Sequence, residues 1–434
     1  MKIALVSPRG AFLGRNAEFS DFLKQSPEME FYRQYWSGLG SGLLVIGALT
    51  KKDDAVKLID ENIEPIDFNR DYDLVAVTAM TQQAPRAYEI ARRFREKGAK
   101  VVMGGIHATT LPDDVKPHVD SVVVGEAENL WPRLLDDFKH NRLSPVYASQ
   151  REVNLKESPI PEYELLEGKP YKIVWVQATR GCPHDCSFCC ASRIYGSKYR
   201  HKSIDQVNEE IKKIRRINKY AVIGFADDNL LCDQKYSRHL LEKIVDLKIR
   251  WIGQSDISMA SDNDLLRLVK NSGCVAMIIG FESISEDNLR GIDTSHWKLK
   301  HLKDYVPSIR KIQSNGIGII GTFIVGFDND DASVFDRLAE FIIDNRLAGA
   351  QIAALTPFPQ TRIRETLLKE GRILDTPWDN YSLYDANVRL KKMSSRQLEE
   401  GILQTYKKVY SSGVALEKRK YFRHIFFELR RRGE

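Results

Sequence analysis

Eleven short apolar runs, spaced by helical patterns and polar turns, restrict this chain to a largely parallel α/β architecture. Five lie early: Ile3–Ser7, Ala55–Asp60, Leu74–Thr78, Lys100–Met103 and Ser121–Val124. Helical periodicity at Ala84–Lys97 and Leu130–Lys139 falls between and after them. Six more follow: Ile173–Ala178, Ala221–Ala226, Ile249–Ile252, Val275–Phe281, Gly318–Val325 and Gln351–Leu355. Helical patterns such as Ile204–Ile217, Asp262–Ser272 and Ala332–Asn345 alternate with these. The expected α/β organisation is an N-terminal doubly wound, Rossmann-like domain at 1–145 and a linker at 146–168 marked by Pro159 and Pro161. A partial (β/α)6 barrel over 169–360 and a C-terminal helical extension over 361–434 complete it.

Length and charge narrow the function classes. A chain of 434 residues with 43% hydrophobic and 29% charged content can bury cores for more than one domain. Six cysteines, three of them in one short loop, do not form a secreted disulfide framework, so a reducing cytoplasm is expected. Met1–Val6 reads as a strand rather than a signal peptide, and Gly38–Leu49 is too short and Gly-rich to span a membrane. The net charge of +6 owes much to Glu417–Glu434, which holds seven Lys or Arg. That tail is either a solvated helix or a surface for a membrane, an acidic protein or nucleic acid. Basic–aromatic interleaving at Arg419–Arg423 comes without a nucleic-acid recognition fold.

The chemistry concentrates in Gly181-Cys182-Pro183-His184-Asp185-Cys186-Ser187-Phe188-Cys189. Three soft ligands this close can face one iron–sulfur cluster, leaving one iron open to a small molecule. Structural zinc is the competing reading, although no fourth Cys or His follows at zinc spacing. A redox dithiol would leave one thiol idle. Working residues of parallel sheets and βα barrels gather at the carboxyl ends of strands. In the second half these are Asp227, Asp228, Gln254, Ser255, Glu282 and Ser283, while Asp262 and Ser285 read as helix N-caps. In the first half the loops are Pro8–Gly10, Glu61-Asn62, Ala79–Gln83, Gly104–Thr109 and Gly125–Glu128, with no dinucleotide fingerprint among them.

Cys182, Cys186 and Cys189, with Phe188 before the third, resemble the cluster loop of radical S-adenosylmethionine enzymes. The resemblance implies a [4Fe–4S] cluster on those three cysteines, S-adenosylmethionine on the open iron, and cleavage to a 5′-deoxyadenosyl radical. It places Phe188 beside cluster and adenine, and Asp227, Asp228, Gln254, Ser255, Glu282, Ser283 and Gly326 toward S-adenosylmethionine. The first domain resembles the cobalamin-binding domain upstream of that loop in one class of the family, through Val77-Thr78-Ala79, Gly104-Gly105-Ile106-His107 and Val124-Gly125-Glu126. By that likeness Thr78, Thr81, Gln82, Gly104, Gly105, His107, Gly125 and Glu126 contact cobalamin. Ser7-Pro8-Arg9-Gly10 stands where better-known cobalamin domains carry a cobalt-ligating histidine, so another lower ligand, or none, is expected.

The C-terminal end resembles the hopanoid-methylase and anaerobic porphyrin-cyclase branch. Together these features imply cobalamin-dependent radical methylation of an unactivated carbon, with a ferredoxin or flavodoxin as electron donor and an anaerobic host. The alternatives are radical cyclisation, oxidation or coupling without methyl transfer, and a non-catalytic metal- or nucleic-acid-binding protein. The acceptor is open among small molecules, lipids and protein side chains.

Overall fold

The computed structural model describes residues 1–10, 16–36, 39–149 and 152–431. Ser37 and Gly38 lie outside them, as do Arg432–Glu434 of the basic tail.

The first sheet contains β1 (Lys2–Ser7), β2 (Ala55–Asp60), β3 (Leu74–Thr78), β4 (Lys100–Gly104), β5 (Ser121–Val124) and β6 (Val146–Ala148). All pair in parallel, in the order β2-β1-β3-β4-β5-β6. The reversal between β1 and β3 opens a crevice at the carboxyl end of the sheet. One strand was not expected. Val146–Ala148 falls in the segment read as linker, yet it pairs with Val122–Val124 and extends the sheet. Pro145 does not oppose this, because its carbonyl accepts from Val122 N (3.0 Å) and its missing N–H is not needed.

The second half begins with β7 (Ile173–Val176), and a short antiparallel pair, β8 (Thr179–Arg180) and β9 (Arg200–His201), forms the neck of the cysteine loop. Next come β10 (Val222–Phe225), β11 (Trp251–Ser255), β12 (Cys274–Glu282), β13 (Gly318–Val325) and β14 (Gly349–Ala354). With β7 these make six parallel strands, β14-β13-β12-β11-β10-β7, a half-barrel whose edges do not close. Its outer face is buried by amphipathic helices. Ile204–Ile217 carries Val207, Ile211 and Ile214 into the core and starts at a Ser203/Gln206 capping box. Asp262 caps Asn263–Asn271 through Leu265 N (2.9 Å), whereas Ser285 makes no side-chain cap.

The open side is filled from both ends of the chain. Helix Ser395–Val409 lies along β14 and seals that edge with two tyrosines. Tyr406 Oη accepts from Ile352 N (3.0 Å) and Tyr410 Oη from Ala350 N (2.7 Å). Edge amides that would otherwise template another strand are thereby satisfied. The Tyr410 hydroxyl also donates to Tyr32 Oη (2.8 Å), on the N-terminal helix Glu30–Trp36. That helix places Phe31 and Tyr35 among the inward-facing Ile173, Trp175 and Ile252, with Tyr35 edge-on to Trp175 at 5.1 Å between centroids. Residues 30–36 therefore plug the inner face of the half-barrel. Among the described residues no helix is long and apolar enough to cross a membrane.

Candidate active site

A cavity of about 510 Å³ lies where the carboxyl ends of the two sheets face each other. Thr78, Gln82, Gly104, Gly105, Gly125 and Glu126 line it from the first domain, and Trp175, Arg180, Tyr195 and Gln254 from the barrel. Gly40 and Gly42 leave open space where a side chain would stand. Gly105 has φ +91°, and a methyl there would meet Thr78 Oγ1 at 2.6 Å, so the turn requires glycine. Two residues expected at cobalamin turn away. His107 is fully buried behind the wall, with Nε2 facing Tyr88 Oη (2.9 Å) and Asp114 Oδ2 (3.1 Å) and its ring against Trp378. Burial, stronger than the pull of Asp114, lowers its pKa and keeps it neutral. Thr81 is buried at the start of a short 3-10 turn and is not part of the lining.

The cysteine loop is anchored on two sides. Ser187 N donates to Ile292 O (2.7 Å), Ile363 N to Ser187 O (2.9 Å) and Arg362 Nη2 to Asp185 O (2.5 Å). Inside the loop, His184 Nε2 meets Asp256 Oδ2 at 3.2 Å and its ring packs on Trp297. Asp256 also accepts from Asn229 Nδ2 (2.8 Å) and Ser258 N (2.9 Å). Burial opposes ionisation of Asp256, but His184, Ser258 and Asn229 hold its carboxyl well below the usual range. The three cysteines carry no disulfide. Burial raises all three thiols, that of Cys186 to about 12, so without metal they are neutral.

The strand-end residues divide by task. Asp228 faces the thiols, and burial raises its carboxyl to about 6. Asp227 is fully buried; it accepts from Ala178 N (3.3 Å) and Thr179 Oγ1 (2.5 Å), and burial raises it to about 7. It braces the approach to the cysteine loop from within. Glu282, with φ +64°, meets the buried Lys298 Nζ at 3.1 Å. Ser283 Oγ accepts from Ser285 N (3.1 Å), Ser255 Oγ donates to Asp256 O (3.3 Å), and Gly326 N donates to Asp330 Oδ2 (3.0 Å). Phe188 is half-buried within the loop.

A model of the radical SAM superfamily matches residues 176–342, and one of the B12 binding domain matches residues 41–135. Bacteriochlorophyllide d C-12(1)-methyltransferase of Chlorobaculum tepidum is 32% identical over 387 residues, covering 87% of this chain and 83% of that protein. The chain belongs to the cobalamin-dependent radical S-adenosylmethionine methyltransferases. This methyltransferase is also 26% identical to hopanoid C-2 methylase of Rhodopseudomonas palustris, across 77% of this chain and 65% of that one. In fold it matches the radical S-adenosylmethionine methyltransferase TsrM of Kitasatospora setae, solved with cobalamin and a [4Fe–4S] cluster. That TM-score is 0.67 at 15% identity, over 94% of this chain and 88% of the other.

The methyltransferase has donor sets that fit both groups. Three soft thiols on a braced loop suit a cluster with one free corner. A crevice with glycines at its surface and amide and hydroxyl groups at its rim suits a broad, flat, amide-bearing macrocycle. Neither Arg180 nor Asp256 stood among the expected site residues. Arg180 had one local signal, its place two residues before Cys182, and Asp256 another, its place at a strand end.

Glu126 of the methyltransferase is held by the barrel and by the segment that leads to it. Its Oε1 accepts from Arg180 Nη1 (2.7 Å), and its Oε2 from Arg200 Nη1 (2.9 Å) and Val153 N (2.8 Å). Burial alone would raise its carboxyl, but Arg200, the Val153 N–H and Arg180 hold it below the usual range. A carboxylate depressed in the folded state adds stability that is complete above its unfolded pKa of about 4.3 and lost as pH falls through the lowered value. Thermal unfolding of wild type and Glu126→Gln should therefore differ at neutral pH, and the difference should shrink below about pH 4. A pH-independent difference would show that Glu126 acts through shape alone.

Proposed function

We propose that this methyltransferase places a methyl group on an unactivated carbon of an organic acceptor. When bound, the cluster with S-adenosylmethionine supplies a hydrogen-abstracting carbon radical and cobalamin supplies the methyl group. The observation that carries the reading is the cavity shared by the carboxyl ends of both sheets, with Arg180, from the neck of the cysteine loop, in its wall. Cys182, Cys186 and Cys189 would hold the cluster, and Asp228 faces those thiols. Thr78, Gln82, Gly104, Gly105 and Gly125 would hold cobalamin from one side while Trp175 and Tyr195 close the other. Asp227 and Asp256 keep the loop in place, and the buried aromatic wall excludes water from the reacting region. A ferredoxin- or flavodoxin-type donor would supply electrons. The relative at 32% identity carries a bacteriochlorophyllide in its name, which makes chlorin pigments the first acceptors to try.

The test is an anaerobic incubation of reconstituted protein with methyl-deuterated S-adenosylmethionine and an acceptor panel beginning with chlorins. Deuterated methyl on product carbon supports the proposal. An acceptor converted without gaining that label, alongside 5′-deoxyadenosine, would replace it with radical chemistry lacking methyl transfer. Gly42→Leu sharpens the cofactor assignment, because nothing stands near the glycine and the new side chain would project into open space. Titration of cobalamin by visible absorbance should show affinity reduced by about tenfold or more, about 1.4 kcal/mol, with the cluster spectrum intact. Equal affinity would move cobalamin out of this cavity.

A further inference from the structure

Arg180 and Arg200 stand directly opposite each other in the β8–β9 pair. Like charges at such positions repel, and the pair is also buried, with 9% of each side chain exposed. Two carboxylates from the other domain make the arrangement tenable. Glu126 takes one arginine on each oxygen, and Glu128 Oε1 lies 2.6 Å from Arg180 Nη2. Arg180 Nε adds a bond to Gln177 Oε1 (2.8 Å), and Arg200 bonds Val153 O (2.8 Å) and Tyr195 O (3.1 Å). The guanidinium of Arg180 thus joins the end of β7, the neck of the cysteine loop and the loop after β5. Arg180, Glu126 and Glu128 also form part of the cavity wall.

We propose that Arg180 is a positioning residue that sets the distance between the two cofactor sites, so that methyl donor and radical source address the same acceptor carbon. This rests on the two-cofactor reading above. A planar fork with donors in fixed directions can bond Glu126 and Gln177 while its charge faces Glu128, which an ammonium on a flexible stem cannot. Loss of the fork leaves Glu126 with Arg200 and leaves Glu128 as a buried carboxylate without its cation. The loop after β5 then loses its register against the cysteine loop, while the three thiols keep their own anchors at Ile292, Ile363 and Asp256.

The test compares wild type, Arg180→Lys and Arg180→Gln, each loaded with iron, sulfide and cobalamin. Pulsed electron paramagnetic resonance between cob(II)alamin and the reduced cluster reads the distance directly, without an acceptor. Wild type should give one narrow distance, Arg180→Gln a broad or displaced one, and Arg180→Lys an intermediate. With an accepted substrate, methylated product per 5′-deoxyadenosine should fall by about a hundredfold in Arg180→Gln, the scale expected for a displacement near 1 Å. If Arg180→Gln does not fold, the lysine variant carries the measurement, since it retains the charge and loses only the fork. Distances and product ratios equal to wild type in the variants would overturn the inference alone. Wild type that takes up the cluster but no cobalamin would overturn the two-cofactor reading, and this one with it.

Discussion

Cys189→Ala is expected to yield a folded protein with no iron–sulfur absorbance and no cleavage of S-adenosylmethionine. Neither Cys190 nor His184 is free to replace Cys189. Cys190, its neighbour, is the residue from which helix Ala191–Tyr195 starts, and its thiol is itself buried. His184 is committed to Asp256 and Trp297. The loop should keep its course, because Ser187 is bonded to Ile292 and Ile363 independently of the third thiol. Loss of function should therefore come without loss of fold, with near-wild-type thermal unfolding in the metal-free state. Cys190→Ala is the control and should retain cluster and cleavage. Cleavage at the wild-type rate by Cys189→Ala would remove the cluster from this loop.

Glu282→Gln should cause the largest loss of stability among single changes near the site, about 3–5 kcal/mol. Lys298 is 6% exposed, and the Glu282 carboxylate is its counter-charge, with Gly280 O accepting a second bond. Burial works against the ammonium, yet the charge and hydrogen bond of Glu282 more than offset that and raise its pKa. A buried cation without its partner is costly, whereas removing both charges costs much less. The double variant Glu282→Gln/Lys298→Met should therefore recover much of the lost stability in denaturant unfolding. Backbone geometry adds to the case. The register of β12 against β13 shifts between Gly280 and Glu282, and Glu282 has φ +64°. Such a shift re-aims a side chain, and left-handed backbone at a non-glycine persists only when surrounding contacts enforce it. If the double variant is no better than Glu282→Gln, the strained turn rather than the charge carries the effect.

Local pattern made the parallel strands readable, because apolar runs ending in polar or glycine turns need no distant information. The cysteine spacing marked out its loop for the same reason. Thr78, Gln82, Gly104, Gly105 and Gly125 could be placed on the wall of the crevice because strand polarity dictates which end carries the loops. What escaped was set by partners far away in the chain. Val146–Ala148 is three residues long and becomes a strand only against β5. Arg180 and Glu126 gain their role by meeting across domains, 54 positions apart. His107 and Thr81 sit in the expected loops but point inward, and loop position alone does not decide direction. Residues 30–36 showed a polar, aromatic stretch, and only the half-barrel explains why Phe31 and Tyr35 are aromatic.

That short helix has a kinetic consequence. With Tyr35 wedged against Trp175 and Tyr32 tied to Tyr410, helix 30–36 cannot leave the half-barrel without extracting aromatic rings from a packed interior. Acceptor exchange should therefore not run through that side of the barrel.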